Sequence, residues 1–361
     1  MVIGILLHPY DEDKPAGLGR TILGFVAGML EVDRENEYII FVKKNLKKNP
    51  QLPGKNWKIH VLGEGIFWLD RMRHAPRVDV YIFHTPVMPF FWRPPKSIVI
   101  ALDFAYVYLP VESIGTFLNN KLLAWYHGYS LKRADHIVSI SETTKKEIEK
   151  LYGIPEQKIT VVYMGFDSIC ALPEQKISVP DKFFLFVGVL KPRKNPFSAI
   201  KAFVEFHAEH KDYTLVIAGK GGGPYYDEMQ KYVREKGVEN RVIFLGFVTD
   251  GQLSYLYKRA CALVFPSIFE GGFALPVFEA MDCGLPVITS GRGPYESLEE
   301  TVGDAGILVD PLGVPQIAEA MERLVSEKGL REKLIKKGRV QAKKFSWQKA
   351  GRELLNVIHK I

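Results

Sequence analysis

The sequence predicts an α/β protein built from two doubly wound parallel sheets in tandem. Short β-branched and aromatic runs recur along the whole chain, amphipathic helical patterns separate them, and 361 residues suit two domains of ordinary size. Neighbouring parallel strands need a crossover between them, and strands covered by helices on both faces are apolar nearly throughout rather than alternating.

In order, the first series is VIGILL (2–7), YIIFV (38–42), KIHVL (58–62), VDVYIF (78–83), IVIAL (98–102), HIVSI (136–140) and ITVVY (159–163). The second is FFLFVG (183–188), TLVIAG (214–219), RVIFLG (241–246), ALVFP (262–266), LPVIT (285–289) and GILVD (306–310). Between them lies GFDSICALPEQKISVP (165–180), with two prolines and little periodicity, which reads as a linker. The expected organisation is a domain over 1–164, a linker over 165–180, a second domain over 181–345 and a last amphipathic helix over 346–361. Such sheets bind ligands beyond the carboxyl ends of their strands, so a substrate cleft between the domains is expected.

Composition narrows the class. With 47% hydrophobic and 25% charged residues the chain is not disordered, collagenous or a disulfide scaffold. Cys170, Cys261 and Cys283 are far apart and odd in number, and they read as buried thiols of a reducing compartment. No apolar run approaches the roughly 18 residues of a membrane helix, and no charged region precedes the short apolar start, so a cytoplasmic protein is expected. The net charge of +7 leaves room for an anionic partner: a phosphate substrate, an acidic lipid surface or nucleic acid.

Four loops carry phosphate-compatible chemistry. PSIFEGGFALPVFEAMDCGLPVIT (266–289) leaves a strand, passes Gly271-Gly272 and enters a short helix with Pro276 near its start, where free backbone N–H groups and a partial positive charge favour an anion. Glu270 and Glu279 frame that turn, although each alone also reads as a surface charge. Arg193 and Lys194, between a strand and a helix, can neutralise a departing diphosphate. KGGG (220–223) is a weaker glycine loop, and Gly17-Leu18-Gly19-Arg20 opens the first helix. Four such loops behind strands of two α/β domains fit a phosphate-handling enzyme.

The residues as a set resemble the family 4 retaining glycosyltransferases of the GT-B fold, two Rossmann-like doubly wound domains facing each other across a cleft. The resemblance runs through GLGR (17–20), ENEYIIFV (35–42), RADHIVSISETTKKEI (133–148), GIPEQKITVVYMGFD (153–167), FVGVLKPRKN, LVIAGKGGG, the 266–289 segment, ESLEETVGDAGILVDP (296–311) and KKFSWQKAG (343–351). It implies transfer of a sugar from a nucleotide diphosphate donor with retention of anomeric configuration, and no cofactor or obligatory metal. Residue by residue it implies that Arg193 and Lys194 bind the diphosphate, that Glu270 contacts the donor sugar and that Glu279 holds the ribose hydroxyls. It further implies donor contacts for the backbone at Gly17, Gly19, Gly219, Gly271, Gly272, Phe273, Ala274 and Leu275, and a final helix crossing back onto the N-terminal domain.

Two departures stand out. Glu270 and Glu279 have eight residues between them, one more than the family's usual pair, because of the glycine doublet. Where the family commonly has a His-Asp pair this chain has Leu102-Asp103, leaving Asp103 as a catalytic candidate and His84 as a sugar or acceptor contact.

Within the resemblance, the PRKN form of the phosphate loop implies mannose from GDP-mannose as donor, with UDP-glucose as the runner-up and a glycan, lipid-linked or small-molecule acceptor as partner. A nucleotide-sugar epimerase on the same fold is the neighbouring alternative. REKLIKKGRVQAKK (331–344) has seven basic residues and one acidic; it fits a solvated helix, with an anionic-surface or nucleic-acid binder as the rival reading, and for the enzyme reading no nucleic-acid partner is expected. Asp11-Glu12-Asp13 has the outline of a metal motif but reads as a solvated loop. Phe90, Phe91 and Trp92, beside Arg93 and Lys96, fit either a lipid interface at the inner face of a membrane or burial under a neighbouring helix.

Overall fold

The computed structural model describes residues 1–9, 17–108, 111, 113–291 and 298–361. These divide into two compact units, one made of Met1–Gly165 with Phe345–Ile361, the other of Phe166–Lys344.

The first unit runs β1 (Val2–Leu6), α1 (Gly17–Val32), β2 (Glu37–Val42), β3 (Trp57–Val61), β4 (Val80–Phe83), β5 (Ser97–Ala101), α2 (Ala105–Tyr108), α3 (Ile114–Arg133), β6 (His136–Ser139), α4 (Glu142–Tyr152) and β7 (Ile159–Val161). All seven strands are parallel, in the order β3-β2-β1-β4-β5-β6-β7. Burial follows position: β4 and β5 are wholly buried, whereas β3 at the sheet edge is half-exposed. Local chemistry sets the helix ends. In α4 the Ser141 hydroxyl accepts the Thr144 N–H, and Gly153, left-handed at φ 65°, stops the helix.

The second unit runs β8 (Phe183–Val187), α5 (Pro196–His207), β9 (Thr214–Ala218), α6 (Pro224–Glu235), β10 (Val242–Gly246), α7 (Asp250–Arg259), β11 (Leu263–Phe265), α8 (Leu275–Asp282), β12 (Val287–Ser290), α9 (Glu299–Val302), β13 (Ile307–Val309), α10 (Val314–Ser326) and α11 (Leu330–Ala342). Its six parallel strands take the order β10-β9-β8-β11-β12-β13. In both units the strand order reverses beside the first strand, between β1 and β4 and between β8 and β11, and this reversal opens the crevice in which such sheets hold ligands.

The chain ends in α12 (Trp347–Lys360), which belongs to the first unit and packs on α1. Glycines allow an approach that side chains would forbid: a Cβ on Gly28 would lie 2.1 Å from the Trp347 carbonyl oxygen, and one on Gly351 2.4 Å from the Gly28 carbonyl. The buried Trp347 ring then sits 5.4 Å from that of Phe25.

The 165–180 stretch is no free tether. From Phe166 onward it is part of the second unit. Its Ser168 hydroxyl donates to Asp282 at 2.5 Å, and Glu174 pairs with Lys258 and Arg259. The expectation of three isolated thiols is corrected here as well. Cys170 and Cys283 form a disulfide, with Cα atoms 5.4 Å apart. They are 113 residues apart in sequence, and only the docking of this stretch against the end of α8 brings them together. Cys261 stays a thiol, its pKa raised by burial.

The α1–α12 contact makes a stability prediction. Gly28→Val places methyl groups where the Trp347 backbone lies, so urea unfolding should show a loss of at least about 1–3 kcal/mol. An unchanged midpoint would mean that α12 does not hold the first unit together.

Candidate active site

The second unit gathers most of the expected residues at one end of its sheet. After β8 the chain makes a short 3-10 turn, Pro192–Lys194, that carries Arg193 and Lys194. After β11 it runs through Ser267 to Glu270. These loops flank the β8/β11 reversal.

An ion pair joins them. Lys194 Nζ lies 2.5 and 2.7 Å from the two carboxylate oxygens of Glu270 and 5.3 Å from the centre of the Phe265 ring. The Glu270 side chain is only 8% exposed, and Lys194 is an ion-pair partner that offsets the cost of burying its charge. The backbone reinforces the pair: Ile268 N–H donates to the Arg193 carbonyl at 2.9 Å, the Ser267 hydroxyl lies 3.0 Å from the same carbonyl, and that hydroxyl also bonds Glu270 Oε1.

Asn195, left-handed at φ 54°, caps α5 with its side-chain oxygen. Its Nδ2 donates to the carbonyls of Pro266 at 3.0 Å and Pro311 at 2.6 Å. One buried amide thus ties together the loops that follow β8, β11 and β13.

Gly271 and Gly272 have φ of 56° and 83°, conformations that L side chains rarely adopt. The Phe273 N–H folds back to the Glu270 carbonyl at 3.2 Å, and Thr301 Oγ1 donates to the Gly272 carbonyl at 2.6 Å. The glycine doublet therefore forms a tight left-handed turn, fixed at both ends. Beyond it Phe273 is buried and stacks on Phe278 at 4.2 Å, Ala274 is the N-cap of α8, and Leu275 with Pro276 forms its first turn. Among the described residues no side chain caps α8, whose positive dipole end lies beside the Glu270 turn. Further along, Glu279 is 3% exposed and accepts from the Tyr257 hydroxyl of α7 at 3.1 Å. Gly219, after β9, has a packing role: a Cβ there would lie 1.8 Å from the Gly188 carbonyl oxygen.

Arg193, Lys194, Gly219, Glu270, Gly271, Gly272, Phe273, Ala274, Leu275 and Glu279 thus share one unit and sit on its strand-end loops or on α8. Gly17, Gly19, His84 and Asp103 lie in the other unit. Gly17 and Gly19 are in the first turn of α1, where Gly19 lines a cavity of about 390 Å³ with His8, Lys43 and Lys44. Asp103 follows β5 and accepts the Ala105 N–H at 3.1 Å, bracing the start of α2. His84 follows β4 and is buried. Its Nδ1–H donates to the Leu6 carbonyl at 3.3 Å, and its Nε2 has no partner among the described residues. Asp11, Glu12 and Asp13 lie outside the described residues. Among the described residues no three metal-ligating side chains cluster.

Sequence reasoning missed four supporting residues. Asn195 precedes a proline at a helix start, a readable capping signal. Ser267, Tyr257 and Thr301 had no signal, because their roles depend on chain segments brought together by the sheet.

Comparison with known proteins decides the family. Residues 33–168 match Glycosyltransferase Family 4 and residues 172–341 match Glycosyl transferases group 1. The chain belongs to this glycosyltransferase family. O-antigen chain mannosyltransferase B of Escherichia coli is 33% identical over 238 residues, 63% of this chain and 61% of that protein. The serotype-specific mannosyltransferase WbdA of Escherichia coli is 30% identical over 253 residues, 66% of this chain and 30% of that protein. The matches therefore span less than two thirds of these relatives. The solved sucrose-phosphate synthase of Thermosynechococcus elongatus superposes with a TM-score of 0.76 over 99% of this chain and 98% of that one at 17% identity. That likeness establishes the GT-B fold for this member of the family.

Two predictions follow from the site geometry. Lys194→Met removes the ion-pair partner of the buried Glu270 carboxylate and should cost about 1–3 kcal/mol in urea unfolding, with Lys194→Met/Glu270→Gln recovering part of the loss. An undiminished loss in the double variant would show that the pair is not coupled.

Burial also pushes the pKa of His84 and of His127 down to about 4. Above pH 6.5 both rings are neutral folded or unfolded. Between 6.5 and about 4 the unfolded chain takes up protons that the folded rings refuse, so stability falls with pH by up to about 1.4 kcal/mol per unit for each ring. His84→Leu should shallow that slope by one histidine's share, and an unaltered slope in pH-dependent urea titrations would contradict it.

Proposed function

We propose that the chain is a retaining hexosyltransferase that takes mannose from GDP-mannose and delivers it to a glycan or lipid-linked acceptor in the cytoplasm, without a metal ion in the reaction. The observation that carries this reading is the paired charge at the β8/β11 reversal: Lys194 held by Glu270, with Arg193 in the same turn and the start of α8 adjoining. Mannose is favoured because relatives at 30 and 33% identity are named mannosyltransferases.

In this reading the bond between the anomeric carbon and the β-phosphate oxygen breaks while the acceptor oxygen bonds to the same face of that carbon. The acceptor's proton passes to the departing phosphate oxygen, so no protein base is required. Negative charge grows on the diphosphate, and Arg193, Lys194 and the N-terminal end of α8 stabilise it more in the transition state than in the ground state. Glu270, fixed by Ser267 and Lys194, faces the sugar. Glu279, steadied by Tyr257, holds the ribose hydroxyls. The ammonium of Lys194 has three donors, so it can keep one on Glu270 and give another to phosphate.

Arg193→Ala should lower turnover about a hundredfold or more, corresponding to about 2.7–4 kcal/mol, as expected for loss of one preorganised donor. Glu279→Ala should instead weaken nucleotide binding about tenfold or more in calorimetric titration, with a smaller effect on kcat. Release of GDP from GDP-mannose, persisting in EDTA, is the expected result of a nucleotide-sugar screen. Activity lost in EDTA and restored by Mn²⁺ would overturn the metal-free mechanism, and turnover of UDP-glucose alone would overturn the donor.

A further inference from the structure

Among its described residues the first unit exposes a long apolar surface. Along α3, Ile114, Leu118, Leu122 and Trp125 recur at intervals of three and four residues, so they share one face, and they are 79, 61, 64 and 56% exposed. The surface continues past the helix. Trp125 and Tyr129 lie 6.1 and 5.2 Å from Phe90, which lies 5.0 Å from Phe91, itself 68% exposed. Soluble monomers rarely expose an apolar patch this continuous without a partner for it.

Charge identifies the partner. The segments that build this surface, 66–74, 88–96 and 114–133, hold seven Lys and Arg residues and one acidic residue, Asp70. Asp70 is engaged internally: its carboxylate accepts the N–H groups of Phe90, Phe91 and Trp92 at 3.0, 2.5 and 2.9 Å. That clamp fixes the loop so that Phe90 and Phe91 stay outside while Trp92 packs inward, 5.2 Å from Tyr81. α3 itself has no acidic residue; Lys121 lies over the Phe117 ring at 5.4 Å and Arg133 over Tyr129 at 4.9 Å.

Of the seven basic residues Arg93 alone is paired among the ion pairs of the described residues, to Asp135 at 3.0 Å. Exposed aliphatic side chains, aromatic rings and a rim in which basic residues outnumber acids are what a helix lying in the headgroup layer of an anionic bilayer requires. A second copy meeting the same face would bring like charge against like. No helix among the described residues is long and apolar enough to cross a membrane, so the contact is peripheral.

We infer that the exposed face of α3, with Phe90 and Phe91, docks on the surface of an anionic lipid bilayer. The inference rests on the first unit alone and does not depend on the transferase reading. The test is co-sedimentation of the full chain with vesicles of phosphatidylcholine alone or mixed with phosphatidylglycerol, at low and high salt, together with tryptophan fluorescence. Binding should require phosphatidylglycerol, weaken with salt and shift the emission to the blue. Leu118→Ser/Leu122→Ser, at exposed positions that the fold does not need, should cut partitioning at least about tenfold while circular dichroism stays unchanged.

Equal binding by that variant, or no preference for the anionic vesicles, would overturn the inference. So would sedimentation-velocity evidence for a dimer that the double substitution dissolves, since a second copy would then cover the face. Retention only on vesicles that carry a polyprenyl phosphate would overturn it too, because the surface would then be a groove for one lipid and not a bilayer contact.

Discussion

The ion pair between Lys194 and Glu270 is the constraint around which the second unit's strand ends are organised. A buried carboxylate is costly unless a charge and hydrogen bonds answer it, and here both answers come from loops that the sheet alone would not hold together. The ammonium arrives on the turn after β8, the carboxylate on the turn after β11, and Ser267 and Asn195 lock the two backbones. The result is a preformed arrangement of charges at the point where strand order reverses. Such preorganisation matters for charge that develops in a transition state, because fixed dipoles and cations need no rearrangement at the moment of reaction.

Much of this was legible in the sequence, for a physical reason. Parallel strands buried on both faces must be apolar throughout, so each run from 2–7 to 306–310 could be read without knowing its neighbours, and each appears as a strand. The placement of Arg193, Lys194 and Glu270 on strand-end loops was readable because each follows an apolar run that could be read as a strand. Gly271-Gly272 was readable as a turn, and the positive φ of both residues shows why one more residue fits between the glutamates. What stayed hidden depends on long-range contact. Tyr257 on Glu279, Thr301 on the glycine turn and the Cys170–Cys283 bond join segments that local pattern does not connect. The stretch containing Cys170 looked like a linker because it has no periodicity, yet irregular chain can be held as firmly as a helix when its side chains are bonded to elements on either side of it in space.

The first unit shows how backbone contact can replace side-chain packing. α1 and α12 meet through Gly28 and Gly351, where main chain touches main chain, and Trp347 fills the space over Gly24. Glycine in a helix interior is a loss by intrinsic propensity, on the order of 1 kcal/mol each. That loss is acceptable only when the close approach returns more dispersion and burial than a side chain would. In this way the end of the chain becomes part of the unit that holds its start.

The same unit separates two uses of aromatic side chains that look identical in sequence. Phe90, Phe91 and Trp92 are consecutive, and in an irregular loop periodicity cannot say which of them turns inward. Asp70 decides it. A single carboxylate accepting three successive backbone N–H groups curls the loop around itself, and curling a chain by one residue at a time sends neighbouring side chains in different directions. Trp92 goes to the Tyr81 side, Phe90 to Tyr129 of α3 and Phe91 to Phe67. Part of the net charge of +7 gains a location by the same route, because the segments around that face hold seven basic residues and one acid, with Arg93 paired to Asp135. A charge excess spread evenly would have favoured solubility alone; one gathered beside exposed aromatic rings favours a particular kind of surface.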